Sequence, residues 1–314
     1  SVLTPGEADE VLGVVRELCQ TGKITVLMIT HKFREVTAFA DDVSVLRHGA
    51  HIGSGKVSDF STDMLAEMMV GAELPDQSAD RTGEPGKVVL SLSGIRAADR
   101  SGLKEIHIDD LEVRSGEVVG IAGISGNGQM ELMEILSGQR AHSTGEIKVK
   151  GQPYKATRPE ARALGVRILP EEPLHNACVP MMSVAENLGF RNYDVNGGGK
   201  TRFWVRKRAM GEYGTDLIKS YKIKTTSTDA PMSSLSGGNV QRTVLARELT
   251  GEVDLLLISN PCFGLDFSAV AEIRSRIIAA RNAGTAVLLM SEDLDEILEL
   301  SDRILVMSEG RLSF

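Results

Sequence analysis

Apolar residues in this chain follow two spacings. Ala8, Val11, Leu12, Val15, Leu18 and Cys19 share one helical face, in a segment that opens on Thr4-Pro5-Gly6-Glu7 and stops at Gly22. That opening is a capping box with proline at the first helical position. Elsewhere the apolar residues run unbroken. Val26-Leu27-Met28-Ile29, the stretch 117–122 and Leu255-Leu256-Leu257-Ile258 predict strands buried on both faces, as in a parallel sheet. Helical spacing returns after the run at 117–122, at Leu132, Met133, Ile135 and Leu136, and is also present ahead of the run at 255–258, at Val240, Val244, Leu245 and Leu249. Strands alternating with amphipathic helices predict an α/β fold.

The two ends of the chain carry one pattern twice. His31, Phe33-Arg34-Glu35-Val36, Asp41-Asp42-Val43 and Gly49 align with Glu292, Leu294-Asp295-Glu296-Ile297, Asp302-Arg303-Ile304 and Gly310 at a constant offset of 261 residues. Upstream, Leu3-Thr4 falls opposite Leu265-Asp266 at 262, so the first copy holds one extra residue. Such self-similarity marks a duplicated structural unit. The polar, Pro/Gly-containing stretch 76–86 reads as a linker. It predicts a first domain over 1–75 and a second over 87–314, whose first strand starts at 88–92.

Two glycine-containing strings suggest phosphate binding. Gly123-Ile124-Ser125-Gly126-Asn127-Gly128-Gln129-Met130 follows a strand and opens a helix with the spacing G-x-x-x-x-G-K-[ST]. Its glycines allow consecutive N–H groups to line an anion nest at a helix N-terminus. Gln129, however, stands at the lysine position and cannot make a charge-assisted bond to phosphate, a loss of roughly 1.5–3 kcal/mol. Met130 replaces the hydroxyl and cannot ligate a hard cation. The second string, Leu235-Ser236-Gly237-Gly238-Asn239-Val240-Gln241-Arg242, leads directly into the helix at 240–249. Its glycines permit close backbone approach, Ser236 adds a hydroxyl donor, and the helix start supplies free N–H groups.

The second string, followed by the strand at 255–258 and Gly264-Leu265-Asp266, resembles the signature, Walker B and D-loop series of ABC-type ATPases. The resemblance implies a P-loop NTPase fold of ABC type, with a mixed sheet, flanking helices and a helical subdomain. It also implies that Ser236, Gly237, Gly238, Asn239 and Gln241 bind an ATP held on the phosphate loop of the opposite domain. In the same site Asp266 is the D-loop residue and His31 the γ-phosphate switch. Gly123, Ser125, Gly126, Asn127, Gly128 and Gln129 form the chain's own phosphate loop, and Glu171 takes the Q-loop position.

Ser259, Asn260 and Glu292 stand where the family carries aspartate, glutamate and histidine, so this second site keeps its architecture without its chemistry; loss of the general base alone costs about 10²–10⁴ in rate. Its nest still suits an anion. Aligned on the repeat, Ser1 matches Phe263, so the first copy has neither a phosphate loop nor a signature of its own here. The expectation is a fragment in which ATP and magnesium serve one composite site, completed by a first phosphate loop outside this sequence.

A tandem arrangement with a disarmed second half is similar to bacterial sugar and nucleoside importer ATPases. Gly-Asn-Gly-Gln at 126–129 and the loss of Asp-Glu at 259–260 favour the nucleoside branch. Met130, Cys262-Phe263 and Pro173 depart from that family's pattern. The implied partners are integral membrane permease subunits and, indirectly, an extracytoplasmic substrate-binding protein, with the chain on the cytoplasmic face of the membrane. The alternatives are a soluble tandem ABC protein acting on ribosomes or DNA, which usually keeps both sites intact, and an inactive remnant.

Composition agrees with the transport reading. A net charge of −8 argues against a nucleic-acid surface, and three dispersed cysteines predict neither disulfides nor a metal site. No apolar run approaches the ~18–20 residues of a membrane span. The one basic run, 200–208, holds the only tryptophan. It reads as a solvated helix face or as a docking surface for a membrane subunit.

Overall fold

The computed structural model describes every residue except 1–4, 31, 48, 72–79, 100–101, 103, 194–204, 266 and 314. Among the described residues the chain divides into two compact units, 1–77 with 264–272, and 78–263 with 273–314.

In the first unit, helix α1 (Pro5–Gln20) is followed by α2 (Phe33–Phe39), the antiparallel pair β1 (Asp42–Arg47) and β2 (Ala50–Lys56), and α3 (Thr62–Val70). The capping box expected at 4–7 lies outside the described side chains. Arg34 pairs with Asp9, and Arg16 donates to the Ala38 carbonyl, joining α1 to α2. The strand expected at 26–29 is absent. Residues 24–30 form no regular element, and Leu27 and Ile29 are 93% and 95% exposed. A strand is an element only when its N–H and C=O groups find a neighbour. Within this unit the described residues form no sheet beyond β1 and β2. On the apolar face expected of α1, Val11 and Leu18 are exposed, while Ala8, Leu12, Val15 and Cys19 are half-buried.

The second unit starts with β3 (Val88–Ala98), β4 (Glu105–Arg114) and β5 (Val118–Ala122). Then come α4 (Gln129–Leu136), β6 (Thr144–Val149), β7 (Gln152–Pro153), α5 (Arg158–Ala163), β8 (Val166–Leu169), α6 (Pro173–Asn176), α7 (Val184–Gly189) and α8 (Lys207–Ser220). The chain continues through α9 (Gly237–Leu249), β9 (Leu255–Ser259), α10 (Phe267–Asn282), β10 (Ala286–Ser291), α11 (Leu294–Leu300), β11 (Arg303–Ser308) and β12 (Arg311–Ser313). Ten strands form one mixed sheet in the order β7-β6-β3-β4-β12-β11-β5-β10-β9-β8. Strands β11, β5, β10, β9 and β8 are mutually parallel, and the apolar runs expected in β5 and β9 are buried. All six residues of β10 are buried.

Helices α7, α8 and α9 enclose a second core of Val184, Leu188, Leu217, Ile223, Met232, Val240 and Ala246. A charged knot ties that layer together. Glu248, fully buried, accepts from Arg191 Nη2 at 2.6 Å and from Arg247 Nε at 2.7 Å. Arg247 also donates to the Ala177 carbonyl at 2.8 Å. Pairing of this kind is what lets a carboxylate lie in an apolar interior.

The described part of the expected linker is strapped to the second unit. Arg281 Nη1 donates to the Thr82 carbonyl at 2.6 Å, Asn282 Nδ2 donates to the Asp80 carbonyl at 2.9 Å, and Thr82 N–H donates to Asn282 Oδ1 at 3.0 Å.

The repeat read from the sequence recurs as geometry. Helix α2 and strand β1 match α11 and β11 residue for residue at the offset of 261, and α1 matches α10 at 262. The same corner bonds are made in both copies. Thr30 Oγ1 donates to Glu35 Oε2 at 2.6 Å, as Ser291 Oγ donates to Glu296 Oε2 at 2.7 Å. Lys32 N–H donates to Thr30 Oγ1 and Asp293 N–H to Ser291 Oγ, both at 3.1 Å.

Candidate functional site: a phosphate-loop edge and a signature helix

The C-terminal ends of parallel strands gather loops at one edge of a sheet, where α/β proteins bind their ligands. Here the order β5-β10-β9-β8 places four segments along that edge. They are the loop 123–128 after β5, Glu292 after β10, Asn260 after β9 and Glu171 after β8.

The phosphate loop has the backbone of an anion nest. Gly126 and Gly128 take φ of +83° and +115°, conformations that side chains resist. The first N–H groups of α4 have no intrahelical acceptor. The side chains face inward, however. Gln129 Nε2 donates to the Ile124 carbonyl at 3.3 Å and Asn127 Nδ2 to the same oxygen at 2.9 Å. Asn127 Oδ1 accepts from Glu309 N–H and its backbone carbonyl from Gly310 N–H, both at 2.8 Å, so the β11–β12 turn clamps the loop. Ser125 is exposed, and Met130 is 44% exposed.

Across the edge, Asn260 has φ of +44°, and its Oδ1 accepts from Glu292 N–H at 2.9 Å. Glu171 follows β8 and is half-buried, and its carbonyl accepts from Asn176 Nδ2 at 2.6 Å. An anion suits the N–H groups of this loop. Magnesium does not suit its side chains, since a thioether stands at 130 and the Asn260 oxygen is already engaged.

The signature string opens α9 in a different condition. Ser236 is the exposed N-cap residue, and its side chain makes no cap bond to the helix; Asn239 N–H donates to the Ser236 carbonyl at 2.9 Å, so the N–H groups left open are those of Gly237 and Gly238. Asn239 Nδ2 donates to Ser236 Oγ at 2.9 Å, which leaves the serine proton free to point outward. Asn239 Oδ1 accepts from Lys224 N–H at 2.8 Å. Gln241 is 3% exposed and donates to the Pro261 carbonyl at 2.8 Å, so it braces the turn after β9. Gly237 is exposed and Gly238 half-buried at the helix start. His31 and Asp266 lie outside the described residues.

Two bonds at this edge carry no sequence signal, the Asn127–Glu309 clamp and the Asn260–Glu292 tie. Each joins a side chain to a distant backbone N–H, which leaves no periodicity to read.

Two burial-driven shifts lie behind the edge. Burial pushes the Glu296 carboxyl up, against the pull of the Cys262 thiol, Ser291 and Arg274 beside it. Burial also pushes the Cys262 thiol up, aided by Glu296.

A nest-bearing loop at the carboxyl edge of a mixed sheet, with a signature helix rising from a helical layer, defines an ATP-binding cassette of the P-loop NTPase class. Residues 106–262 match the family model "ABC transporter", and the chain belongs to that family. The full chain is 40% identical to the glucose import ATP-binding protein of Haloferax volcanii, over 57% of that protein's length. It is 35% identical, over 99% of its own length, to the nucleoside import ATP-binding protein of Lactococcus lactis, of which it spans 62%. It therefore spans well under two thirds of these curated relatives. Among solved structures, a nucleotide-free ATP-binding cassette matches with a TM-score of 0.60 at 18% identity, over 73% of this chain and 90% of that one. A dimeric cassette bound to ADP and phosphate matches with a TM-score of 0.57 at 18% identity, over 72% and 97%. At that identity the likeness is one of fold.

Proposed function

We propose that this chain is part of the ATP-binding subunit that energises a sugar or nucleoside importer. Residues 1–75 are the end of a first nucleotide-binding domain, 76–86 a connection, and 87–314 most of a second. Three observations support this reading: the repeated hydroxyl–carboxylate corner, the exposed apolar residues at 26, 27 and 29, and relatives named as glucose and nucleoside import proteins that extend beyond this chain.

The subunit hydrolyses ATP at one composite site. The carrying observation is a contrast inside one unit. Ser236 keeps an outward proton beside open helix N–H groups, while the Gln129 amide is turned onto the Ile124 carbonyl and the Asn260 amide oxygen onto Glu292 N–H. Ser236, Gly237, Gly238 and the start of α9 would hold the phosphates of an ATP seated on a phosphate loop of the first domain, with magnesium there. Asn239 orients Ser236, and Gln241 braces the helix. His31 would serve as the switch and Asp266 as the D-loop residue of that site. The loop 123–129 holds at most a nucleotide that is not turned over.

Integral membrane permease subunits are the proposed partners, with a substrate-binding protein engaged through them on the other side. Exposed Val179 and Met181 (83% exposed), shortly after Glu171, give those subunits an apolar patch. No described helix is long and apolar enough to cross a membrane.

The test is ATP turnover by the full-length subunit with its permease. Ser236→Arg should lower turnover by at least about a hundredfold, the scale of losing a preorganised phosphate donor. The triple change Gln129→Lys, Asn260→Glu, Glu292→His tests the other half. Turnover that survives Ser236→Arg and depends on 129, 260 or 292 would reverse the assignment of the two sites.

A further inference from the structure

The parallel ladder between β10 and β9 runs in register from Ala286 opposite Leu255 to Met290 opposite Ser259. Its next rung pairs Ser291 with Asn260. In a parallel ladder a residue donates its N–H to the residue before its partner and accepts at its carbonyl from the residue after it. Asn260 makes the first of these bonds with its backbone, N–H to the Met290 carbonyl at 2.8 Å. It does not make the second that way. Its left-handed φ turns the carbonyl aside, where it accepts from Phe263 N–H at 3.2 Å. Glu292 N–H goes to Asn260 Oδ1 instead, at 2.9 Å.

The side-chain amide thus completes the rung that the backbone has left. Asparagine suits both demands, because it tolerates a left-handed backbone and carries a peptide-like carbonyl on a one-carbon arm. The bond also reaches further. Pro261, the next residue, presents its carbonyl to buried Gln241 of α9. Position 292, the turn after β9 and the signature helix are therefore joined in series.

We propose that Asn260 is a positioning residue. It holds Glu292 and the post-β9 turn in one arrangement without nucleotide, and through Pro261 and Gln241 it sets the start of the signature helix. Any bearing of this tie on ATP turnover rests on the one-working-site reading above, whereas the bond chain does not.

Hydrogen exchange on the 314-residue chain, without nucleotide, tests the bond chain with two variants. Asn260→Gly keeps the left-handed backbone free of strain and removes the acceptor. Asn260→Asp keeps the acceptor on the same short arm. In Asn260→Gly, exchange at the Glu292 amide should rise about tenfold, the equivalent of one lost hydrogen bond, and exchange in the first turns of α9 should rise with it. Asn260→Asp should bring both back to within about twofold of wild type. An unchanged Glu292 amide in Asn260→Gly, or equal rates in the two variants, overturns the tie. A rise confined to Glu292, with α9 unmoved, overturns its transmission to the signature. Failure of the one-site reading would appear only in the turnover of Ser236→Arg.

Discussion

Residues 26–30 and 287–291 are one pattern in two settings. Val-Leu-Met-Ile-Thr in the first copy and Val-Leu-Leu-Met-Ser in the second both read as a buried strand. The second is a strand between β5 and β9 with every residue buried. The first is no element, and two of its side chains are almost fully exposed. Yet both are followed by the same helix, closed by the same hydroxyl–carboxylate bond. The corner is therefore local property of the sequence, and the strand belongs to its neighbours.

Charge insertion should separate the copies most. Leu288→Asp places a carboxylate in a fully buried strand and should cost about 4–5 kcal/mol or unfold the second unit. Leu27→Asp, at the matching position, should stay within about 0.5 kcal/mol. Denaturant melts of both variants read the difference, and equal losses would mean that residues 26–30 are packed after all.

A pH series probes the buried carboxylate of the second copy. Burial raises the Glu296 carboxyl, so the folded state holds its proton more tightly than the unfolded chain does. The stability this gives is full below the ordinary carboxylate range and is lost as pH climbs through the raised value. Glu296→Gln should remove that decline. Parallel stability curves for wild type and Glu296→Gln between acid and neutral pH would refute the assignment.

The smallest effect concerns the corner bond itself. Ser291→Ala strands the Glu296 oxygen in a buried site and should cost about 1–2 kcal/mol. Thr30→Ala, in the more open copy, should cost about half of that or less. Thermal melts decide, and a larger loss at Thr30 would contradict the burial difference.

Much of the second unit was legible. Apolar runs located β5 and β9, because a strand covered on both faces has little choice of residue. Glycine spacing located the nest, because φ at Gly126 and Gly128 excludes most side chains. The repeat was legible down to its single extra residue. What stayed hidden depended on partners. The pattern at 26–29 records an ability to be buried but not whether neighbours are present. The stretch 80–84 has linker composition, yet its carbonyls are held by Arg281 and Asn282, some 200 residues away. At the site, Gln129, Met130, Ser259, Asn260 and Glu292 read in the sequence as departures from the family's pattern. The sequence could not indicate that Asn260 had taken on a bond, since an amide reaching a backbone N–H of another strand follows no spacing.

The corner bonds also bear on the order in which the chain assembles. Thr30 reaches Glu35, and Ser291 reaches Glu296, across only five residues. A loop that short closes quickly and at little entropic cost, whereas the rungs joining β10 to β5 must bring together positions nearly 170 residues apart. The hydroxyl–carboxylate turn can therefore form while the sheet is still open. The first copy makes the same bond although residues 24–30 form no strand.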